Sequence, residues 1–362
     1  MSNKLKPLLI GDLKIAIPII QGGMGVRVST ASLVSAVANC GGAGTIASVG
    51  LAYGTPENET DYLNASREAL RKEISKTKEL TSGVIGVNIM VALTNYRELV
   101  QVAVEEKSDF IISGAGLPLR LPEFTQGSSI KLIPIVSSAK AAKIIIKTWS
   151  RRYQRFPDAI IVEGPLAGGH LGFKFEELTE SSGSSLESLV TDVLKTVEEY
   201  EKESNLAIPV IAAGGIFDGK DIAKFIKLGA KGVQMATRFV ATEECSVADE
   251  FKELYLKAEV EDIVIIESPV GLPGRAIKTA FIERVMRGEK DPIRCVYKCL
   301  ITCDPATAPY CIAKALCNAS VGDLDNAVVF TGSNAPKVKV IVPVKQLIDE
   351  LVDEAAKELD AN

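Results

Sequence analysis

Ala159-Ile160-Ile161-Val162-Glu163-Gly164-Pro165-Leu166-Ala167-Gly168-Gly169-His170-Leu171-Gly172-Phe173 is an apolar, β-branched run that stops on a glycine-rich loop. That is the pattern of a buried strand opening onto a turn. The glycines let backbone amides approach a ligand where side chains would collide. His170 is the single histidine of the chain. Imidazole is the side chain whose unperturbed pKa lies near neutrality, so any proton chemistry using imidazole falls to His170.

The same unit recurs along the chain. Short Val/Ile-rich runs predict strands at Ile17–Gln21, Ala43–Ala47, Val84–Ile89, Phe110–Ser113, Leu132–Val136, Ala159–Glu163, Val210–Ala213 and Gly232–Met235. Stretches of helical period between them predict helices at Thr30–Asn39, Tyr62–Glu79, Asn95–Glu106, Ala139–Arg151, Ser185–Glu203, Gly219–Lys227 and Ala248–Ala258, with a short one near Pro122. The strands lack clean alternation, as expected when both faces are covered. Eight βα units in about 240 residues fit a closed (β/α)8 TIM barrel better than an open doubly wound sheet. Tyr53 to Asp61 reads as a polar loop, and Ser181 to Ser185 as a flexible connector.

Composition narrows the partners. The formal charge is -5 and the Lys and Arg residues are scattered, which argues against a nucleic-acid groove. Every apolar run is broken well short of a membrane span. Lys4 and Lys6 precede an apolar stretch interrupted by Asp12 and Lys14 with no small-residue cleavage site, so no secretory signal is expected. Seven cysteines, an odd number, fit a reducing cytoplasmic setting. A small-molecule substrate is the expected partner and a homodimer the candidate assembly.

In a barrel of this kind ligands sit at the C-terminal ends of the strands. The residues there are Gln21-Gly22-Gly23-Met24-Gly25, Asn88, Ser113-Gly114-Ala115-Gly116, the His170 loop with Gly168 and Gly169, Gly214-Gly215, and Gln234-Met235-Ala236-Thr237. Loops after the last two strands commonly form a phosphate site from backbone amides and a helix N-terminus, here a helix starting near Asp218 and Gly219. Gly215, Ala236 and Thr237 could supply the amides and Thr237 a hydroxyl donor. Asn88 can donate and accept towards a planar heterocycle, and Met24 can pack on a ring face. Glu163 is either a buried carboxylate paired with a ligand hydroxyl or a rim residue facing water.

Ile17-Pro18-Ile19-Ile20-Gln21-Gly22-Gly23-Met24, Gly86-Val87-Asn88, Ala167-Gly168-Gly169-His170, Ala213-Gly214-Gly215-Ile216 and Gln234-Met235-Ala236-Thr237 occur in this order. The set resembles the nitronate monooxygenase family, formerly the 2-nitropropane dioxygenases, which includes flavin-dependent enoyl-ACP reductases. The resemblance covers roughly residues 10 to 285 and implies a TIM barrel that holds FMN non-covalently. Asn88, Glu163, Gly168, Gly215 and Gln234 to Thr237 would contact FMN, and Gly22 to Met24 would form the flavin-contacting loop after the first strand. His170 matches the family histidine, proposed as base or hydrogen-bond donor beside flavin and substrate. Two positions depart from many nitronate-oxidising members, which have Gln where this chain has Glu163 and Glu where it has Leu166.

The function implied is oxidation of alkyl nitronates with oxygen. The alternatives are an NAD(P)H-dependent enoyl-ACP or quinone reductase and a flavin electron-carrier module. No Gly-x-Gly-x-x-Gly follows a strand, so a nicotinamide would bind through rim loops.

The organisation expected is a flavin-binding barrel over residues 1–262 and an extension over 263–362 packed on it. Ser268-Pro269-Val270-Gly271-Leu272-Pro273-Gly274-Arg275 resembles a family segment that folds back to the active-site mouth, where Arg275 would meet an anionic substrate or a nearby carboxylate. Cys295, Cys299, Cys303 and Cys311, with Cys317 behind, are dense enough for a metal or iron-sulfur cluster, but steps of four also give one buried helical face. The buried-stripe reading is preferred and no metal ligand is assigned. Lys337 to Val344 is expected to be a strand and Lys345 to Leu359 an amphipathic helix.

Overall fold

The computed structural model describes residues 5–179, 183–295 and 297–361, so Ser181 and Ser182 of the expected connector lie outside it. The strands, in chain order, are β1 (Leu8–Ile10), β2 (Leu13–Ile15), β3 (Ile19–Gln21), β4 (Gly44–Ala47), β5 (Ile85–Met90), β6 (Phe110–Gly114), β7 (Lys131–Val136), β8 (Ile160–Glu163), β9 (Gly169–His170), β10 (Val210–Ala213), β11 (Gly232–Met235), β12 (Ile263–Glu267), β13 (Pro273–Ile277) and β14 (Val329–Phe330).

Eight of them form one sheet in the order β3-β11-β10-β8-β7-β6-β5-β4. All its ladders are parallel. The ends of that order meet through an Ile20–Ala43 bridge, with Gln21 N–H donating to Ala43 O at 2.9 Å, and the sheet closes into a barrel. The expected (β/α)8 architecture is therefore the observed one, with helices such as Ala31–Asn39, Ala139–Tyr153 and Leu186–Ser204 alternating with the strands. Ser138 and Ser185 start the last two by accepting backbone amides on their hydroxyls.

Two buried layers follow from the double-sided strands. Residues such as Val87, Ile111, Ile160 and Val210 face the helices in the outer core. Ile20, Phe110, Ile133, Ile161 and Ile211 fill the barrel interior with Leu8, Ile10 and Ile15 of the β1–β2 hairpin. The hairpin thus plugs the end opposite the strand C-termini, leaving the other end for a ligand.

Three local expectations are corrected. Pro56–Thr60 is a helix, because Thr55 caps it through the Asn58 amide and Pro56 presets its first turn. Lys337 to Val344 is not a strand. Ala335–Lys337 is a 3-10 turn, and the following extended residues make only a bridge from Val342 to Thr242. Cys295, Cys299 and Cys303 share no helical face, because the described part of 289–311 forms no helix. Pro292, Pro305 and Pro309 lack the amide a helix needs. The expected C-terminal helix spans Val344–Asp360. No helix among the described residues is long and apolar enough to cross a membrane.

Candidate active site

The floor of the site comes from strand register. Glu163 and Gln234 are both paired with Ala213, so these three residues occupy one level of β8, β10 and β11. Asn88 stands near the end of β5, paired with Ala47. Gln234 Oε1 is buried without a hydrogen-bond partner among the described residues. The Glu163 carboxyl has only burial acting on it, which pushes its pKa up to about 7. Both the carboxyl and the orphan oxygen are groups that native proteins ordinarily satisfy.

The loop after β3 lies over this floor. Gln21, fully buried, accepts from Thr45 N–H at 3.0 Å and donates to Gly22 O and to Ser29 Oγ, the latter at 2.8 Å. Ser29 Oγ in turn accepts from Met24 N–H at 2.9 Å. Gly23 crosses so close to Asn88 that a Cβ would sit 2.4 Å from the Asn88 Cβ.

Gly214 and Gly215 follow β10 with φ of 90° and 89°, a left-handed pair open to glycine at little cost. A Cβ at Gly214 would lie 2.9 Å from Ala167 Cβ, so this loop abuts the His170 loop. The amides of Gly214, Gly215, Ala236 and Thr237 donate to no backbone carbonyl among the described residues. The helix behind them, Gly219–Leu228, starts where expected, but its N-terminus is taken. Gly219 N–H donates to Glu354 at 2.9 Å and Asp221 N–H to Asp218 at 3.0 Å. The expected helix-terminus contribution is therefore corrected: carboxylates fill it, and only the loop amides remain for an anion.

His170 ends β9, which pairs with β13 in the register Gly274–His170 and Arg275–Gly169. Its Nε2 lies 2.8 Å from Ser268 Oγ, which also accepts from Val270 N–H at 3.3 Å. The Phe330 ring meets the imidazole edge to face, centroids 4.8 Å apart. Enclosure pulls the His170 pKa down to about 4, so the ring is neutral at pH 7 and its Nδ1 is the nitrogen left for a ligand.

Arg275 faces neither substrate nor carboxylate, which corrects both expectations for it. Buried, it donates to Pro165 O at 2.7 Å and to Ala167 O, clamping the His170 loop to β13.

One cavity of about 250 Å3 is lined by Gly22, Gly23, Met24, Asn88, Glu163, Gly168, Gly169, His170, Gly214, Gly215, Gln234, Met235, Ala236 and Thr237. All fourteen residues singled out in the sequence thus meet in space. Tyr53, Leu300, Ile312, Leu316 and Phe330, which the sequence did not point to, give the cavity an apolar wall together with Val270 of the segment expected to fold back to the mouth. Thr331, Gly332 and Asn334 were missed as well. Ser268 was quoted only within a segment folding back to the mouth; its own signal, a hydroxyl beside a Pro-Val-Gly turn, is too common to single out.

The cysteine segment roofs the mouth. Leu300 bridges to Leu93, Thr94 N–H donates to Cys299 O at 3.1 Å, and Thr302 Oγ1 donates to Val270 O at 2.6 Å. All seven cysteines are free thiols, and no group of three candidate ligands is placed to hold a metal among the described residues.

A family model described as nitronate monooxygenase matches residues 6–354. The chain belongs to the nitronate monooxygenase family. As a member of that family it is an enzyme. It is 31% identical over 273 residues to the (3aS,4S,5R,7aS)-5-hydroxy-7a-methyl-1-oxo-octahydro-1H-indene-4-carboxyl-CoA dehydrogenase of Mycobacterium tuberculosis. That match takes in 75% of this chain and 66% of the relative, just under two thirds of the relative's length. FabK from Thermotoga maritima superposes with a TM-score of 0.73 at 30% identity, over 95% of this chain and 94% of FabK. A nitroalkane oxidase from Streptomyces ansochromogenes shares the fold at 20% identity and a TM-score of 0.73, over 95% of this chain and 97% of that one.

Proposed function

We propose that this nitronate monooxygenase family member binds FMN and oxidises alkyl nitronates with molecular oxygen. The observation that carries the reading is the neutral His170 on the same cavity as three unmet needs. These are, among the described residues, an orphan acceptor on Gln234, an unpartnered carboxyl on Glu163 and the free amides of Gly214, Gly215, Ala236 and Thr237. A planar heterocycle bearing N–H and hydroxyl donors and ending in a phosphate answers all three, so the residues present fit FMN.

Gly214, Gly215, Ala236 and Thr237 would hold the phosphate. Asn88, Glu163 and Gln234 would meet the polar edge and hydroxyls. Gly22 to Met24, with Gly168, Gly169 and Met235, would shape the walls. The chemistry supplied by bound FMN is acceptance of electrons from the substrate and their passage to oxygen.

The protein's part is positional and electrostatic. A nitronate is already an anion, so it needs donors more than a base. His170, weakly basic and held at Nε2 by Ser268, donates from Nδ1 to a nitronate oxygen when Ser268 donates its own proton to Nε2. The apolar wall of Val270, Leu300 and Phe330 excludes water around that bond.

The departure at Glu163, where many nitronate-oxidising members have Gln, and the extent of the FabK likeness favour a second reading, an NAD(P)H-dependent reductase of the enoyl-ACP or quinone type. In that reading the same His170 Nδ1 would donate to a carbonyl oxygen.

Anaerobic mixing separates the two. Loss of the yellow colour on adding propyl-2-nitronate alone supports nitronate oxidation. Loss on adding NADPH alone, with none on adding nitronate, replaces it with the reductase.

A further inference from the structure

Thr331, Gly332, Ser333 and Asn334 lie far along the chain from the barrel strands, yet they are fastened to three rim loops at once. A Cβ on Gly168 would lie 2.4 Å from the Thr331 carbonyl carbon, so the backbones touch there. Ser333 donates to Leu166 O from its amide and its hydroxyl, both at 3.2 Å. Gly332 N–H donates to Thr237 Oγ1 at 3.3 Å, and Asn334 Nδ2 donates to Gly215 O at 2.7 Å. Thr331, Gly332 and Asn334 all reach the cavity surface.

Two donors are left over from these bonds. A hydroxyl accepts twice and donates once. The Gly332 amide occupies an acceptor position on Thr237, and the hydroxyl proton meets no acceptor among the described residues. The Asn334 amide nitrogen carries two protons, of which Gly215 O takes one. Both leftover protons sit where the free amides of Gly214, Gly215, Ala236 and Thr237 gather, and residues 331–334 bring no carboxylate to oppose an anion.

We propose that Thr331–Asn334 completes the phosphate end of the flavin site. Asn334 Nδ2 is a side-chain donor to the anion, and the Gly332 amide orients the Thr237 hydroxyl towards it. This rests on the FMN reading above. It makes the C-terminal extension part of the binding site, where the sequence assigned the phosphate to barrel loops alone.

The test compares FMN with riboflavin, which lacks the phosphate, by fluorescence titration of flavin-free full-length protein. In Asn334→Ala the FMN Kd rises roughly tenfold, the size of one hydrogen bond to a charged group, while the riboflavin Kd stays within about twofold. Asn334→Asp keeps the side-chain size and puts a carboxylate beside the phosphate. It weakens FMN further than alanine does and leaves riboflavin alone. Equal weakening of both flavins by both variants makes Asn334 a mere latch and overturns the proposal, as does unchanged discrimination. A wild-type protein that binds the two flavins alike removes the phosphate reading itself, and this proposal with it.

Discussion

His170 Nε2 and Ser268 Oγ lie 2.8 Å apart, although 98 residues separate them in the chain. The contact exists because β9 adds to β13, bringing the turn after β12 over the barrel mouth. Ser268 fixes which imidazole nitrogen faces a ligand. We expect His170→Ala to keep bound flavin and to lose roughly a hundredfold in turnover, the low end for a positioned proton donor. Ser268→Ala should lose about tenfold, the worth of one orienting hydrogen bond, with flavin affinity unchanged. Steady-state rates on flavin-loaded protein check both. A wild-type rate in His170→Ala removes the histidine from the mechanism.

Glu163 and His170 pull stability in opposite directions with pH. The Glu163 pKa rises from 4.5 to about 7 on folding, so between those values the folded state holds a proton the unfolded state has released. Its contribution is full below pH 4.5 and is lost as pH climbs to 7, by up to about 3 kcal/mol. The His170 pKa falls from 6.5 to about 4, so its contribution is full above 6.5 and is lost on acidification through 4. Glu163→Gln removes only the first term. Its melting temperature in flavin-free form should gain on wild type steadily from pH 4.5 to 7, and a constant difference over that range contradicts the buried, unpartnered carboxyl.

Arg275 is a buried cation that serves backbone carbonyls. Arg275→Met fills much of the volume but leaves the Pro165 and Ala167 carbonyls unpaired, at roughly 1–3 kcal/mol each. Denaturant unfolding should show a loss of about 2–6 kcal/mol in total. Flavin retention should weaken as well, since the loop released carries Gly168 and His170. Wild-type stability in this variant means the clamp is dispensable.

How much of this was legible in the sequence depended on the range of the interactions. The Val/Ile runs from Ile17 to Met235 gave eight strands within two residues of their observed ends, because burial on both faces writes itself into consecutive residues. Strand-end glycines and Asn88, Glu163 and Gln234 were readable because a barrel gathers strand ends on one rim. Ser268, Phe330 and Asn334 were not. Each acts through one long-range contact and leaves no local pattern. Lys337 to Val344 misled because an extended, apolar-rich segment can run alongside a protein without joining a sheet. The cysteine spacing misled because a period of four permits a helix but does not impose one, and Pro292 on one side with Pro305 and Pro309 on the other bracket the Cys295–Cys303 stretch.

Gly215 tests where the phosphate sits. It has a φ of 89° and an amide with no backbone acceptor among the described residues. Gly215→Asp adds both a disfavoured conformation and a carboxylate at that point. Purified variant should retain no stoichiometric flavin while keeping the fold by circular dichroism. Full retention puts the phosphate elsewhere.

The most direct test of the whole account is a spectroscopic titration of flavin-free protein with FMN. Saturation is expected at one FMN per chain, with the bound flavin's absorbance altered by the enclosed cavity. A protein that stays colourless at saturating FMN, while folded, contradicts it.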